Sequence, residues 1–157
     1  MINSLLKDRF TRGFIAGLLS GVIALGFNLF LYYIIHISTL VWGDFIAGFI
    51  FRRKVASSWE YVLAMVIGVL FTAVLGTLFS LIIPNIKSKY LWFKGLIYGL
   101  FLWFAIFSIT IMFRIPSLTV IPSKTALSSL ISASIWGILL GVFLNLLNPR
   151  TETSSIS

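Results

Sequence analysis

Four long apolar stretches dominate this chain of 157 residues, at about 13–35, 61–83, 95–113 and 125–147. Each is close to the roughly 20 residues that a helix needs to cross a hydrocarbon layer about 30 Å thick. Lipid offers no hydrogen-bond partner to the backbone, so apolar runs of this length are expected to be helical. The period-two alternation of a membrane β-barrel is not present. The sequence therefore predicts an all-α, polytopic membrane protein with one four-helix membrane domain over residues 13–147.

The cationic residues lie beside these stretches. The net charge of +8 could indicate nucleic-acid binding. A nucleic-acid module, however, needs a basic face on a folded soluble surface, and a mean hydropathy of +1.07 leaves no segment for one. The lipid bilayer and its anionic headgroups are the expected partners, and no nucleic acid is expected. The basic clusters are Lys7, Arg9 and Arg12; Arg52, Arg53 and Lys54; Lys87, Lys89 and Lys94; Arg114 and Lys124; and Arg150.

The two ends of the chain are predicted to lie on one side of the membrane. Residues 1–12 form a basic N-terminal arm, and residues 148–157 form a polar tail that we expect to be disordered. Ala24-Leu25-Gly26 could resemble a signal-peptide cleavage site, but the apolar run continues to Ile35, which favours an uncleaved span. With four spans, seven Lys and Arg lie on the side of the termini and five on the other, which favours cytoplasmic termini.

Residues 40–51 are apolar but too short to cross, since a helix of this length spans only about 18 Å. The large apolar residues share one helical face and the small or acidic ones another: Trp42, Phe45, Ile46, Phe49 and Ile50 against Gly43, Asp44, Ala47 and Gly48. This pattern predicts one short interfacial or re-entrant helix. If residues 37–51 did cross, there would be five spans and the C-terminus would lie outside. Asp44 is the candidate functional acid; the alternative is a solvated acid or one paired with Arg52 or Arg53.

Small residues recur at every fourth position in the spans. Such ridges allow close backbone approach, which is what holds membrane helices together. They predict tight packing within the chain, or alternatively a dimer face. The principal glycines are Gly13, Gly17, Gly21, Gly68, Gly76, Gly95, Gly99, Gly137 and Gly141.

An internal repeat is also suggested. The residues from Arg12 to Leu19 align with those from Lys94 to Phe101, and each segment opens a span. Two helix pairs would then share one orientation about an axis along the membrane normal. The alternative is chance, because Gly, Ile and Leu recur in any membrane helix. A separate local signal is Ser57-Ser58-Trp59-Glu60, which predicts a capping box at the start of the second span.

Catalysis is not expected. The chain has no cysteine, its one histidine (His36) lies at a span end as an interfacial residue, and no nucleophile–base, metal or phosphate-loop motif occurs. We therefore expect no enzyme activity, no cofactor and no metal. The spans carry no ionisable group before their ends, which argues against an ion path.

Two tryptophans, Trp103 and Trp136, lie deep in their spans although tryptophan prefers the membrane interface. Core filling is the simplest interpretation, and a lipid or isoprenoid groove is the alternative. Their indole N–H groups need acceptors, for which Ser108, Ser132 or a ligand are the candidates.

The segment Lys94-Gly95-Leu96-Ile97-Tyr98-Gly99-Leu100-Phe101-Leu102-Trp103 resembles the third-span signature of small uncharacterised bacterial four-span membrane proteins of the YqhR type. The resemblance implies a location in the bacterial cytoplasmic (plasma) membrane and carries over no functional residue. Residues 40–51 and the repeated Ile-Pro-Ser connection have no counterpart in that pattern.

The sequence thus favours a non-enzymatic partner or scaffold in a membrane complex, in which the chain binds another membrane protein or a second copy of itself. The alternative is a small homodimeric transporter or channel that uses Asp44 and the 40–51 helix. An enzyme acting on lipid is the least supported of the three.

Overall fold

The computed structural model describes residues 8–85, 90–115, 118 and 120–148. Within these residues the fold is all-α, with four long apolar helices and one short one, as predicted. The helices are α1 (Arg9–Tyr33), α2 (Trp42–Phe51), α3 (Ser58–Ile82), α4 (Leu91–Met112) and α5 (Ser123–Leu146), with a 3-10 turn at Ile83–Asn85. The first seven residues of the predicted basic arm, Lys87 and Lys89, and the tail beyond Asn148 lie outside the described residues.

The long helices begin two to four residues earlier than the apolar stretches, and at α1 and α3 a polar side chain caps the added turn. Asp8 is the N-cap of α1, and its carboxylate accepts from the backbone N–H of Phe10 at 3.3 Å and of Thr11 at 3.0 Å. These bonds satisfy N–H groups that have no partner within the helix. The predicted arm is consequently shorter than residues 1–12, since Arg9 and Arg12 already belong to α1.

The predicted capping box at α3 is confirmed for Ser57 but not for Glu60. Ser57 Oγ accepts from the backbone N–H of Glu60 at 3.3 Å, as expected. The Glu60 carboxylate, however, accepts from the backbone N–H of Ala56 at 2.9 Å and pairs with the Arg53 guanidinium at 2.6 Å. Glu60 therefore ties the α2–α3 connection to the start of α3.

The four long helices form an antiparallel bundle. The pairs that pack along their length are α1·α3, α4·α5 and α1·α5, and α2 packs on α3. The first turn of α1 and the segment that follows α5 are in contact, because the Arg12 guanidinium donates to the Asn148 side-chain oxygen. The beginning of α1 and the end of α5 thus lie on one side, which fits four spans and not five.

Glycine-to-backbone contacts hold the pair α1·α3. A methyl group added at Gly17 would lie 2.5 Å from the carbonyl oxygen of Thr72, and one at Gly76 would lie 2.5 Å from that of Gly13. Thr72 Oγ1 also donates to the carbonyl of Gly17 at 3.2 Å, across the two helices. The small residues therefore bring the two backbones into direct contact.

The pair α4·α5 repeats this arrangement. Gly95 and Gly99 on α4 lie against Gly137 and Ala133 on α5, and Gly141 lies against the carbonyl of Leu91. Gly95 and Gly99 are the positions that the internal repeat aligns with Gly13 and Gly17. Each half of the chain is therefore one antiparallel helix pair with an equivalent glycine crossing, as the repeat predicts.

The small-residue ridge of α3 has two partners. Its five members are all buried: Ala64, Gly68, Thr72, Gly76 and Ser80. The half toward the C-terminus packs on α1, whereas Gly68 packs on Trp42 and Ile46 of α2. Gly68 therefore seats the short helix and does not join two spans.

Candidate functional site

An apolar cavity with a volume of about 90 Å³ lies inside the bundle, between α2 and the middle of the long helices. We call it the cavity below α2. The walls combine small residues of α1, α4 and α5 with large side chains of α2 and α4. Because α4 packs along its length only on α5, a space remains between α4 and the pair α1·α3. The lining residues are Gly21, Ala24, Leu25, Asn28, Leu40, Trp42, Phe45, Thr72, Leu75, Gly99, Leu102, Trp103, Ile106, Phe107, Ser129, Ser132, Ala133 and Trp136.

Tyr98 bridges this space at the level of Leu75 and Trp136. Its hydroxyl donates to the carbonyl oxygen of Leu75 at 3.0 Å, so α4 is tied to α3. Its ring stacks on Phe79 with 4.9 Å between centroids and lies 6.0 Å from the ring of Trp136. Within this aromatic cluster Trp136 lines the cavity, while Trp42 and Phe45 of α2 line its other end.

Asn28 joins three helices at the α2 end of the cavity. Its amide nitrogen donates to Ser132 Oγ on α5 at 3.3 Å, and its oxygen accepts from the backbone N–H of Trp42 at 2.9 Å. Val41, the N-cap residue of α2, has no side-chain oxygen, so Asn28 supplies the cap from another helix. Sequence reasoning missed this role, although a lone buried amide in an apolar span is the signal that could have shown it.

Trp103 and Trp136 both line the cavity, on α4 and α5 respectively. Trp103 Nε1 donates to Ser129 Oγ at 3.0 Å, so the acceptor is neither Ser108 nor Ser132. Ser129 in turn donates to the carbonyl of Ala126 at 2.9 Å. The buried Nε1 atoms of Trp136 and Trp42 have no hydrogen-bond partner among the described residues.

Asp44 does not line the cavity. Its carboxylate accepts from the backbone N–H of Val41 at 2.8 Å and so caps the first turn of its own helix. Neither predicted arginine is its partner: Arg53 pairs with Glu60, and the cation whose charge acts on Asp44 is Lys54. Partial burial raises the pKa of Asp44, against the opposing effects of the Val41 bond and Lys54.

The short helix is packed into the bundle more deeply than an interfacial helix would be. Phe45 is 2% exposed and packs with Ile115 and Leu118, while Ala47 packs on Ala64. Only the last apolar residues of the predicted face, Phe49 and Ile50, are exposed. The connection before α2 is held to α5, because Thr39 donates its backbone N–H to Thr125 Oγ1 at 3.0 Å.

Two cations expected at the headgroups are buried instead. Arg12 and Lys94 are each 9% exposed and occupy matching positions of the repeat, at the end of the bundle opposite α2. His36 is exposed in the connection that follows α1, with a φ of 55°. The structure therefore groups Trp103 and Trp136 with Asn28 around one cavity and leaves Asp44 and His36 outside it.

Comparison with known proteins finds no matching family model, no matching curated protein and no matching solved structure. The resemblance to the YqhR type stays a prediction.

Proposed function

We propose that this chain is a non-enzymatic, multi-pass protein of the bacterial cytoplasmic membrane that serves as a partner or scaffold in a membrane complex. The observation that carries the proposal is the exposure of α4. In the most apolar 18-residue segment of α4, 17% of the residues are buried, whereas 39% to 44% are buried in the corresponding segments of the other three long helices. Of the four long helices, α4 therefore has the smallest buried share, which leaves most of its apolar residues free to contact lipid or a partner.

The exposed side of α4 carries a row of large side chains at helical spacing. We call this row the α4 stripe, and it consists of Phe93, Ile97, Phe101, Phe104 and Ile111. Phe101 and Phe104 are 65% and 66% exposed. Since lipid removes the hydrophobic drive for association, van der Waals packing decides whether membrane helices associate, and rigid rings provide large contact areas.

The glycine ridges support the choice of this stripe over a glycine-mediated dimer. Gly13, Gly17 and Gly76 are in contact within the chain, as are Gly95 and Gly137. A second copy could not reach these glycines without separating helices that already touch. An interface with another protein is therefore expected to use bulky side chains.

The alternative is a small homodimeric transporter or channel. That function needs polar groups that are free to hold a solute or proton along a path. Asp44 caps its own helix, while in the cavity wall Asn28 donates to Ser132 and Ser129 accepts from Trp103. These bonds favour the scaffold over the transporter.

We also propose that both termini are cytoplasmic. Arg9, Arg12 and Lys94 lie at the end of the bundle opposite α2, and the sequence adds Lys7, Lys87, Lys89 and Arg150 to the same side. This gives that side the larger number of Lys and Arg, which the positive-inside rule assigns to the cytoplasm.

The proposal can be tested by photo-crosslinking in the native membrane. A photoreactive residue at Phe101 in the α4 stripe is expected to form an adduct with another protein. The matched position is Val74, which is 50% exposed on α3, and no such adduct is expected there. Adducts with lipid alone at both positions, or the same protein at both, would contradict the proposal.

A second assay separates the scaffold from the transporter. The purified chain is reconstituted into liposomes and a panel of ion and solute fluxes is measured for the wild type and Asp44→Asn. No specific flux is expected. A flux that Asp44→Asn abolishes would establish the alternative in place of the scaffold.

A further inference from the structure

We propose that the cavity below α2 binds a single hydrocarbon chain of a bilayer phospholipid. The inference goes beyond the scaffold function and does not depend on it, since the cavity and the α4 stripe are on different sides of α4.

The depth of the cavity places it in the hydrocarbon layer. Gly21 lies halfway along α1, and Gly99 and Trp103 lie near the middle of α4. From there the cavity extends toward α2, at one end of the bundle. A molecule that enters at this level comes from the acyl-chain region of the bilayer and not from water.

The chemistry of the wall selects a hydrocarbon occupant. Most polar side chains in it already have partners: Asn28 with Ser132 and Trp42 N–H, Ser129 with Trp103, and Thr72 with the carbonyl of Val69 at 2.7 Å. Among the described residues of the wall, the indole N–H groups of Trp42 and Trp136 have no partner. The Trp42 nitrogen lies against Gly68 of α3, so the Trp136 N–H is the one donor left for an occupant of the cavity. Water needs two to four polar partners to occupy a buried site. A polar solute would also lose its own hydration without replacement. An acyl chain incurs neither cost.

The α4 wall shows that the cavity is in contact with the surroundings. Leu102, Trp103, Ile106 and Phe107 face the cavity, yet they are only half-buried. Left empty, the space would deprive these side chains of dispersion contacts that a chain restores. The volume of about 90 Å³ is small, so the cavity holds a segment of one hydrocarbon chain and has no room for a headgroup.

The test uses the full chain purified in mild detergent and native mass spectrometry to count retained lipids. Ile106→Trp and Leu102→Trp each fill the cavity, and Leu78→Trp makes the same change on the outer side of α3, where the residue is 46% exposed and lies in neither the cavity wall nor the α4 stripe. Wild type and Leu78→Trp are expected to retain one phospholipid after extensive washing. The two filled variants should retain it about tenfold less, the ratio expected for a loss of roughly 1.4 kcal/mol in binding.

Each other outcome overturns the proposal. Wild-type protein that holds no lipid after washing shows that the cavity has no bound chain, and this result needs no variant to fold. Equal loss in Leu78→Trp shows that retention is not specific to the cavity. Retention of an isoprenoid lipid instead of a phospholipid shows that the assigned occupant is wrong. Photo-adducts at Phe101 are independent of all three results, so failure here leaves the scaffold proposal unaffected.

Discussion

The carbonyl oxygen of Gly95 in α4 lies so close to Gly137 in α5 that a methyl group on Gly137 would overlap it. The neighbouring atoms are backbone atoms of Gly95 and Gly99, which cannot turn aside as a flexible side chain could. The crossing of α4 and α5 therefore depends on the absence of a side chain at this position.

We expect Gly137→Ala to lower the free energy of unfolding by about 1–3 kcal/mol, the range for overpacking a close contact. The measurement is equilibrium unfolding in bicelles or mixed micelles. Gly26→Ala is the control, because a methyl group there meets no atom within 4 Å. That variant should be as stable as the wild type or more so, given the higher helix propensity of alanine. Equal losses in both variants would show that the crossing is not the cause.

The sequence predicts the helices well because span length and apolarity are local properties. The small-residue ridges also follow from periodicity within one helix. The helix that packs on each ridge cannot be predicted in this way, since the contact depends on how two helices are rotated relative to each other. Gly68 and Gly76 lie on one ridge of α3, yet Gly68 contacts α2 and Gly76 contacts α1. Likewise the apolar run does not show where α1 begins, because Asp8 caps a helix that starts at Arg9.

Asn28→Ala is expected to loosen α2. The substitution removes the acceptor of the Trp42 N–H and the donor to Ser132 Oγ, and a buried group left without its partner costs about 1–3 kcal/mol. Hydrogen exchange at the Trp42 amide should accelerate, whereas amides in the middle of α3 should change less. Asn145→Ala, at an exposed position of α5, should leave the Trp42 amide unchanged. An unaltered Trp42 exchange rate in Asn28→Ala would refute this account of how α2 is held.

The candidate site was only partly predictable. The depth of Trp103 and Trp136 in their spans predicted core filling, with a lipid or isoprenoid groove as the alternative; both side chains line the cavity, and Trp136 also belongs to the buried core. Their hydrogen bonds did not follow from the sequence: Ser129 is the acceptor for Trp103 because α5 turns that serine, and not Ser132, toward α4. Asp44 drew attention as an acid in an apolar segment, but position in the chain could not show that its carboxylate returns to Val41.

Asp44→Asn is expected to stabilise the fold at neutral pH. Burial is the largest cause of the raised pKa of Asp44, so the folded state holds the proton more tightly than the unfolded chain does. Wild-type stability therefore falls as the pH rises from the ordinary aspartate pKa of about 3.9 through the raised value. Asparagine keeps an acceptor for the Val41 N–H and has no charge. The free energy of unfolding of Asp44→Asn should therefore exceed that of the wild type by an amount that grows over this pH range, as measured by unfolding at a series of pH values. A difference that shrinks with rising pH would contradict burial as the main cause of the raised pKa.

Asp8→Asn should give the opposite pH dependence. The backbone N–H of Thr11 is the largest cause of the lowered pKa of Asp8, with the Thr11 hydroxyl next. A carboxylate whose pKa is lowered on folding stabilises the fold above its ordinary pKa and loses that effect as the pH falls through the lowered value. The variant should therefore be less stable than wild type at neutral pH, and the difference should vanish in acid. The readout is exchange of the first amides of α1, because the change is confined to the first turn. If Asp8→Asn and Asp44→Asn shifted stability in the same direction at neutral pH, burial and capping would not be the causes of the two pKa shifts.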